Sequence, residues 1–155
     1  MIYRDIHASL LRFCVDFGDR CDPKPAFVNF DASGDENSLP KSDILGPLAL
    51  SFELDEHLLD GTVQIGYSTW DDTNLFRLVE RVDALLDYLK PTAKIPVYDS
   101  QNLTSDLKGY LVIENGTRVM PVVKGDTRPI QFIAIKFSST VTFQLAGSPS
   151  FPSVP

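Results

Sequence analysis

The sequence predicts an α+β domain, with a mostly antiparallel sheet, two helices packed on one face of it, and an extended C-terminal tail. Three observations support this fold class. Two segments carry apolar residues at the three- and four-residue spacing of an amphipathic helix. Several others alternate apolar and polar residues, as strands with one buried face do. The last nine residues hold three prolines and no charge, so residues 1–146 are predicted as one domain and 147–155 as a Pro/Ser-rich tail.

The N-terminal part predicts a helix, a short strand and a long loop. The helix covers residues 2–17 and stops at Gly18, because a glycine commonly follows the last helical turn. Its apolar stripe is Ile2, Ile6, Leu10, Phe13 and Phe17. Residues 26–30 predict a strand with Phe27 directed inward. Residues 31–47 are rich in Gly, Ser, Asp, Asn and Pro without periodicity, which predicts a loop that is functional or ordered only on binding.

Residues 48–67 predict a β-hairpin. In its first strand, alternate apolar residues are expected to share one buried face, namely Leu48, Leu50, Phe52 and Leu54. After Asp60-Gly61, the residues Val63, Ile65 and Tyr67 alternate with polar or small residues and indicate the second strand. This spacing places His57 at the exposed tip.

A second helix follows the hairpin. Its apolar stripe consists of Leu75, Phe76, Leu78, Val79, Val82, Leu85, Leu86 and Leu89. Asp72 or Thr73 is expected to accept hydrogen bonds from free N–H groups of the first turn. Lys90-Pro91 supplies a cation near the C-terminal end and a stop signal.

The remaining segments predict antiparallel strands. Residues 94–98 suit a sheet edge, because Pro96 cannot donate to a ladder. A polar connection over 99–108 leads to a strand at 109–114. Asn115-Gly116 then predicts a type I′ hairpin turn, from which residues 117–124 would return.

Gly125-Asp126 predicts another turn, and residues 130–143 form the longest predicted strand. One face of that strand carries Ile133, Ile135, Phe137, Val141 and Phe143.

The composition argues against several classes of protein. The 155 residues are 43% hydrophobic. No apolar run is nearly as long as a membrane span, which needs about 20 residues. The first residues resemble no signal peptide. Cys14 and Cys21 are therefore expected to stay reduced. His7 and His57 lie in different predicted elements, so the sequence predicts no zinc site.

The net charge of −7 is concentrated in one part of the chain. Residues 31–60 hold eight acidic residues and one lysine: Asp31, Asp35, Glu36, Asp43, Glu53, Asp55, Glu56 and Asp60, with Lys41. A face that grips nucleic acid needs the opposite sign. These acids are either a solvated surface or candidates to face a channel or a basic partner.

The sequence contains no recognisable catalytic constellation. It has no glycine-rich phosphate loop and no Gly-x-Ser-x-Gly elbow. The carboxylate pair Asp71 and Asp72 suits a helix start, and Asp83 and Asp87 suit the exposed face of the second helix. The chain is therefore predicted not to be an enzyme and to need no cofactor.

The order and size of these elements resemble the tail terminator, or tail-tube completion, proteins of long-tailed bacteriophages. The similarity covers residues 1–145 and lies in the helix ending near Phe17, the 27–30 strand, the 48–67 hairpin, the 75–89 helix and the final strands through 133–143. The resemblance implies a small α+β subunit that forms a six-membered ring. Such a ring caps the tail tube and joins it to the head-side connector or stopper protein.

The resemblance also implies where the protein acts and what it meets. Its location would be the tail or neck of the virion, after assembly in the host cytoplasm. Its partners would be further copies of itself, the tail tube protein, the connector and in some phages a sheath, while DNA passes without specific binding. Phe151 and Val154 in the tail are candidates to contact a neighbour. Alternatives are a head-side stopper or other neck protein, a small ligand- or peptide-binding module, and an enzyme with an unrecognised site.

Overall fold

The computed structural model describes residues 2–32, 35–56, 58–100, 106–125 and 127–139. It confirms the α+β fold, with two helices and one sheet of eight strands. The helices are α1 (Ile2–Gly18) and α2 (Phe76–Leu89). The strands are β1 (Ala26–Phe27), β2 (Ile44–Asp55), β3 (Leu58–Ser68), β4 (Lys94–Tyr98), β5 (Leu107–Ile113), β6 (Arg118–Val119), β7 (Val123–Lys124) and β8 (Pro129–Ser139). His57, the outer part of the last predicted strand with Val141 and Phe143, and the tail with Phe151 and Val154 lie outside the described residues.

Both helices cover one face of the sheet and share a core with it. From the helices, the buried cluster includes Ile6, Leu10, Cys14, Phe17, Leu78, Val82, Leu85 and Leu89, and from the sheet Val63, Ile65, Ile133, Ile135 and Phe137. The predicted burial of the α2 stripe is wrong for two of its residues, since Phe76 is 70% exposed and Val79 is 59% exposed. A helix turns by about 100° per residue, which carries both away from the buried row. None of the described helices is long and apolar enough to span a membrane.

The start of α2 confirms the predicted cap at Asp72. One carboxylate oxygen of Asp72 lies 3.2 Å from the backbone nitrogen of Arg77, and the other lies 2.9 Å from that of Leu78. The second oxygen also accepts a hydrogen bond from the Thr69 hydroxyl at 2.9 Å. Free N–H groups of the first turn are thereby satisfied by a side chain that precedes the helix.

The strands lie in the order β1-β2-β3-β8-β5-β4. Every adjacent pair is antiparallel except β1 and β2, which run parallel. The predicted edge position of residues 94–98 is confirmed, because β4 ends the sheet. At the other end, Phe27 lies on the same face as its buried partner Leu45, as predicted, but its side chain is 40% exposed. An edge strand has a neighbour on one side only, which leaves its ring partly uncovered.

A β-bulge in β2 changes which residues face the core. Leu48 pairs with Gln64 and Ser51 with Thr62, so that Ala49 and Leu50 together oppose one residue of β3. A one-residue shift moves every following side chain to the other face of a strand. Leu48 and Phe52 therefore lie on opposite faces. The prediction of one continuous apolar face from Leu48 to Leu54 is wrong, and Leu54 itself is 51% exposed.

Asn115-Gly116 does not close a hairpin, contrary to the prediction. The strands on its two sides, β5 and β6, both pair antiparallel with β8, at Ile113↔Phe137 and Arg118↔Ala134. The chain therefore continues in the same direction, and the dipeptide is an irregularity in an interrupted strand. Gly116 has a φ of 104°, which explains the glycine. The turn predicted at Gly125 is confirmed, since it joins β7 to β8.

Candidate functional site

The strongest candidate surface is the far end of the β2–β3 hairpin, where four acids are exposed. We call Glu53, Asp55, Glu56 and Asp60 the acidic hairpin. Glu53 and Asp60 are direct cross-strand partners, and like charges at such positions repel each other. Among the described residues, no cation lies within ion-pair distance of either carboxylate. The fold thus keeps a mildly unfavourable charge pair and does not neutralise it.

The acidic hairpin borders a groove on the sheet face that the helices leave open. This groove has a volume of about 480 Å³, and its lining includes Glu53, Asp60, Thr62, Glu114 and Lys136. Thr62 and Lys136 are cross-strand partners and alternate with the buried residues Val63 and Ile135, which places them on the outer face. The open face is therefore polar, and its charge is mostly negative near the hairpin end.

A second groove of about 490 Å³ adjoins the first and shares Ser51, Thr62 and Lys136 with it. Its other wall includes Gln64 and Arg118. The sign of the charge thus changes along the face, from the acids at the hairpin end to Lys136 of β8 and Arg118 of β6. The hydroxyls of Ser51 and Thr62 lie 3.2 Å apart and bond to each other.

Asp43 was predicted to face a channel or partner, and this prediction is wrong. Its side chain is 1% exposed and lies 2.8 Å from the guanidinium of Arg77 through each of its two oxygens. The backbone N–H of Trp70 donates to the same carboxylate at 2.9 Å. Asp43 therefore joins the start of β2 to the start of α2 and has no free surface.

The other acids of the predicted loop also serve the fold. Both carboxylate oxygens of Asp31 accept from the N–H of Ala49, at 3.1 and 3.0 Å, and so hold the bulge of β2. One oxygen of Glu36 accepts from the N–H and hydroxyl of Thr127 and from the N–H of Arg128, at the β7–β8 turn. Asp35 is exposed and accepts from the N–H of Asn37 at 3.1 Å.

The predicted loop over 31–47 is wrong at its C-terminal end, which belongs to β2, and its described part before β2 is held by hydrogen bonds to the rest of the chain. Residues 36–38 form a turn of 3₁₀ helix, and β2 begins at Ile44. The guanidinium of Arg128 donates to the carbonyls of Pro40, at 2.6 Å, and of Ser42. Arg128 is only 4% exposed, and burial lowers its pKa. A cation from the other end of the chain therefore holds this segment.

Sequence reasoning missed a second buried ion pair, at the opposite end of the sheet. Asp5 of α1 is 1% exposed and lies 2.7 Å from the ammonium of Lys108. The N–H and hydroxyl of Ser100 also donate to it, at 2.9 and 2.7 Å. Burial raises the pKa of Asp5, but these hydrogen bonds outweigh burial, and the pKa lies below its ordinary value. No local pattern signals this pair, because its members are 103 positions apart.

The two thiols and the described acids do not form a reactive or metal-binding group. Cys14 and Cys21 are free and buried. Burial raises the pKa of Cys14 to about 12 and is also the largest cause of the raised pKa of Cys21, so both thiols resist ionisation. Among the residues that the structure describes, no three His, Cys, Asp or Glu side chains are grouped to hold a metal ion.

Comparisons with known proteins bear on the fold alone. No protein-family model matches the chain, and no curated protein matches it. One solved structure, of a protein whose name states no function, superposes with a TM-score of 0.56 over 91% of this chain and 96% of its own. The two sequences are 14% identical. The chain thus shares its α+β fold with a protein of nearly the same extent.

Proposed function

We propose that the chain is a structural virion protein, a ring-forming subunit that resembles the tail terminators of long-tailed bacteriophages. The ring, hexameric in that family, would cap the tail tube and join it to the head-side connector or stopper. The observation that carries the proposal is the acidic hairpin, which the fold exposes and which has no cation partner among the described residues. The element order that underlies the resemblance supports it as well.

The charge of the hairpin suits the lining of a channel through which DNA moves. Glu53 and Asp60 repel each other across the strands, and this cost suggests a requirement other than stability. Carboxylates around a bore would repel phosphates and keep DNA from binding, whereas a basic bore would hold it. Asp55 and Glu56 add to the same end of the subunit. The four acids that the structure buries or uses for internal bonds play no part in this proposal.

The proposal includes the partners that such a ring would have. They are further copies of the chain, the tail tube protein, the connector or stopper, and a sheath where the tail is contractile. The protein would assemble in the host cytoplasm and remain in the neck of the virion. No catalytic role, cofactor or membrane partner is part of the proposal.

Electron microscopy of phage particles that lack this protein tests the proposal directly. We expect overlong tails, or heads and tails that fail to join, and normal joined virions would overturn it. Complementation then tests the charge. A variant with Glu53→Gln, Asp55→Asn, Glu56→Gln and Asp60→Asn should assemble yet reduce infectivity by about tenfold or more. The matched control Asp83→Asn with Asp87→Asn, on the exposed face of α2, should restore full infectivity.

A ring structure decides the position of the acids. Native mass spectrometry of the purified chain should give a single closed oligomer, and a cryo-EM map of it should place the acidic hairpin at the bore. A ring with this hairpin on its outer rim would contradict the channel role while leaving the assembly role in place.

A second candidate is a small ligand- or peptide-binding module, which the two adjoining grooves on the open sheet face favour. Such pockets typically combine apolar walls with a few converging polar groups, whereas these grooves are broad and carry charge. A chain that stays monomeric at high concentration, and that loses binding of a ligand after Lys136→Ala, would favour this candidate.

A further inference from the structure

The two edges of the sheet differ in what their backbone offers to another strand. In β4, the pairing with β5 turns the backbone of Lys94, Pro96 and Tyr98 outward. Pro96 has no N–H, and the N–H of Tyr98 donates to the Ser9 hydroxyl at 2.9 Å. This edge is therefore largely closed to pairing, by a proline and by α1.

The β1 edge is open. The N–H groups of Ala26 and Val28 donate to Asp43 and Leu45 of β2, at 2.8 and 3.0 Å. Successive residues of a strand point their backbone N–H and C=O groups to opposite sides. Since Ala26 and Val28 bond to β2, the N–H and C=O of Phe27 point away from it. Among the described residues, no group bonds to either of them. This residue presents the donor and the acceptor that an added strand requires.

A largely apolar groove lies beside this free backbone. It measures about 240 Å³ and runs between the end of α1 and β1, where Val15, Pro25, Phe27 and Leu45 line it. Asp19 and Lys24 also line it and pair with each other at 3.6 Å. Val15 is 47% exposed and Phe27 40%. Phe27 and Leu45 are cross-strand partners, so the groove is on the helix-covered face. A strand added at β1 would direct alternate side chains into it.

β1 is also held close to β2, which makes the edge a firm template. A Cβ atom on Gly46 would lie 1.5 Å from the carbonyl oxygen of Val28. Only a glycine allows this approach. The backbone that carries Phe27 is thus fixed against the sheet before any partner arrives.

We propose that the β1 edge accepts residues 140–145 of a second copy as an added strand, and that this contact joins neighbouring subunits. The inference rests on the proposed ring. Val141, Phe143 and Leu145 alternate with Thr140, Thr142 and Gln144. That pattern gives apolar side chains for the groove and polar ones for the open face. The segment carries no charge that would oppose burial among apolar walls.

Geometry requires the donor to be a second copy. β8 ends at Ser139, beside Leu59 and hence near Leu54 of β2, while β1 pairs with Leu45. Nine residues of strand separate those positions, a distance of about 30 Å. Phe143 follows Ser139 by four residues and reaches at most about 14 Å. Phe143 therefore cannot reach the β1 edge of the same chain. If it binds the β1 edge of a second copy, the contact between the copies is head-to-tail.

Cross-linking of the full chain tests the contact. The double variant Phe27→Cys with Phe143→Cys, treated with a short bismaleimide, should give a ladder of covalent oligomers up to the ring size. The matched control Lys94→Cys with Phe143→Cys, at the closed edge, should stay monomeric on the same gel. Cys14 lines the groove, but it is 1% exposed and Cys21 is 8% exposed, so the native thiols should react little, and the wild-type chain treated in the same way should give no ladder.

The outcomes separate this inference from the proposed function. Rings in native mass spectrometry without the Phe27–Phe143 ladder would overturn the inference and leave the ring intact. A ladder in the Lys94 control would overturn it as well. A chain that never oligomerises would count against the proposed function, and the edge is then tested by a labelled peptide.

The peptide carries residues 139–147, and its binding to the full chain with Phe143→Glu is followed by fluorescence anisotropy. Phe27→Pro, which removes the outward N–H as Pro96 does in β4, should weaken binding by about tenfold or more. Phe27→Ala keeps the N–H and should weaken it less. Circular dichroism confirms that each variant is folded. The inference would be overturned if the peptide did not bind the Phe143→Glu chain. It would also be overturned if that chain and its Phe27→Pro and Phe27→Ala derivatives all bound the peptide equally.

Discussion

The acids between residues 31 and 43 and those between 53 and 60 are equal in number, four in each segment, but they have opposite places in the structure. Asp31, Glu36 and Asp43 accept hydrogen bonds from distant parts of the chain. Glu53 and Asp60 face each other, exposed and without a described cation. The comparison teaches that net charge in a segment says little about the use of each carboxylate. The first group stabilises the fold, and the second is available for a partner or a channel.

Among the variants that test this comparison, Asp43→Ala is expected to have the largest effect on stability. It leaves the Arg77 guanidinium and the Trp70 N–H without their acceptor in a buried place. We expect a loss of about 3 kcal/mol in the free energy of unfolding, measured by urea denaturation. Asp83→Ala, on the exposed face of α2, should change it by less than about 0.5 kcal/mol. Equal effects in the two variants would contradict an internal role for Asp43.

Asp72 is another carboxylate that stabilises the fold, and its contribution to stability should depend on pH. Burial raises its pKa, but the hydrogen bonds from Leu78, Thr69 and Arg77 outweigh burial, and the pKa lies below the ordinary value. Its contribution to stability is therefore complete above about pH 4 and is lost as the pH falls through the lowered pKa of the folded protein. Asp72→Ala should cost about 1–2 kcal/mol at pH 7. The gap between wild type and variant should shrink by pH 2, and a gap that does not depend on pH would contradict this role.

Glu36→Ala tests the contact between the 35–43 segment and the β7–β8 turn. The variant removes one oxygen that accepts from Thr127 and Arg128, and we expect a loss of about 1 kcal/mol. Hydrogen exchange should quicken at the amides of those two residues. Glu36→Gln keeps an acceptor oxygen and should restore part of the stability; no difference between the two variants would speak against this bond.

The smallest effect is expected at the acidic hairpin. Glu53→Gln with Asp60→Asn should raise the free energy of unfolding by a few tenths of a kcal/mol at low salt, because a cross-strand repulsion disappears. The gain should vanish at about 0.5 M salt, where charges are screened within a few ångströms. A loss greater than about 1 kcal/mol would move these acids into the internal group and would weaken the channel proposal.

Local patterns predicted the elements that depend on local physics. The spacing of Ile6, Leu10 and Phe17 indicated α1, and the alternation of Ile133, Ile135 and Phe137 indicated the buried face of β8. The bulge at Ala49 was missed. The apolar and polar residues keep alternating in the sequence through the bulge, but the extra residue moves the side chains after it to the other face of the sheet.

Contacts that join distant segments were also beyond the sequence. Asn115-Gly116 suits a hairpin by itself, and only the competing partner β8 explains why the chain goes straight on. Asp43 meets Arg77 across 34 positions, and nothing near either residue indicates the other. Part of the candidate site, the exposed acids of the hairpin, was predicted; the assignment of the remaining acids required the folded chain.

The central place of β8 has a consequence for how the chain folds during synthesis. β8 pairs with β3, β5, β6 and β7, yet it follows all of them in the chain. The ribosome must release residues 129–139 before the middle of the sheet can close and before the helices gain a complete surface to cover. Pairings between segments so far apart slow folding. The sheet should therefore close only after this strand has emerged, and in the proposed ring no copy could join a neighbour before then.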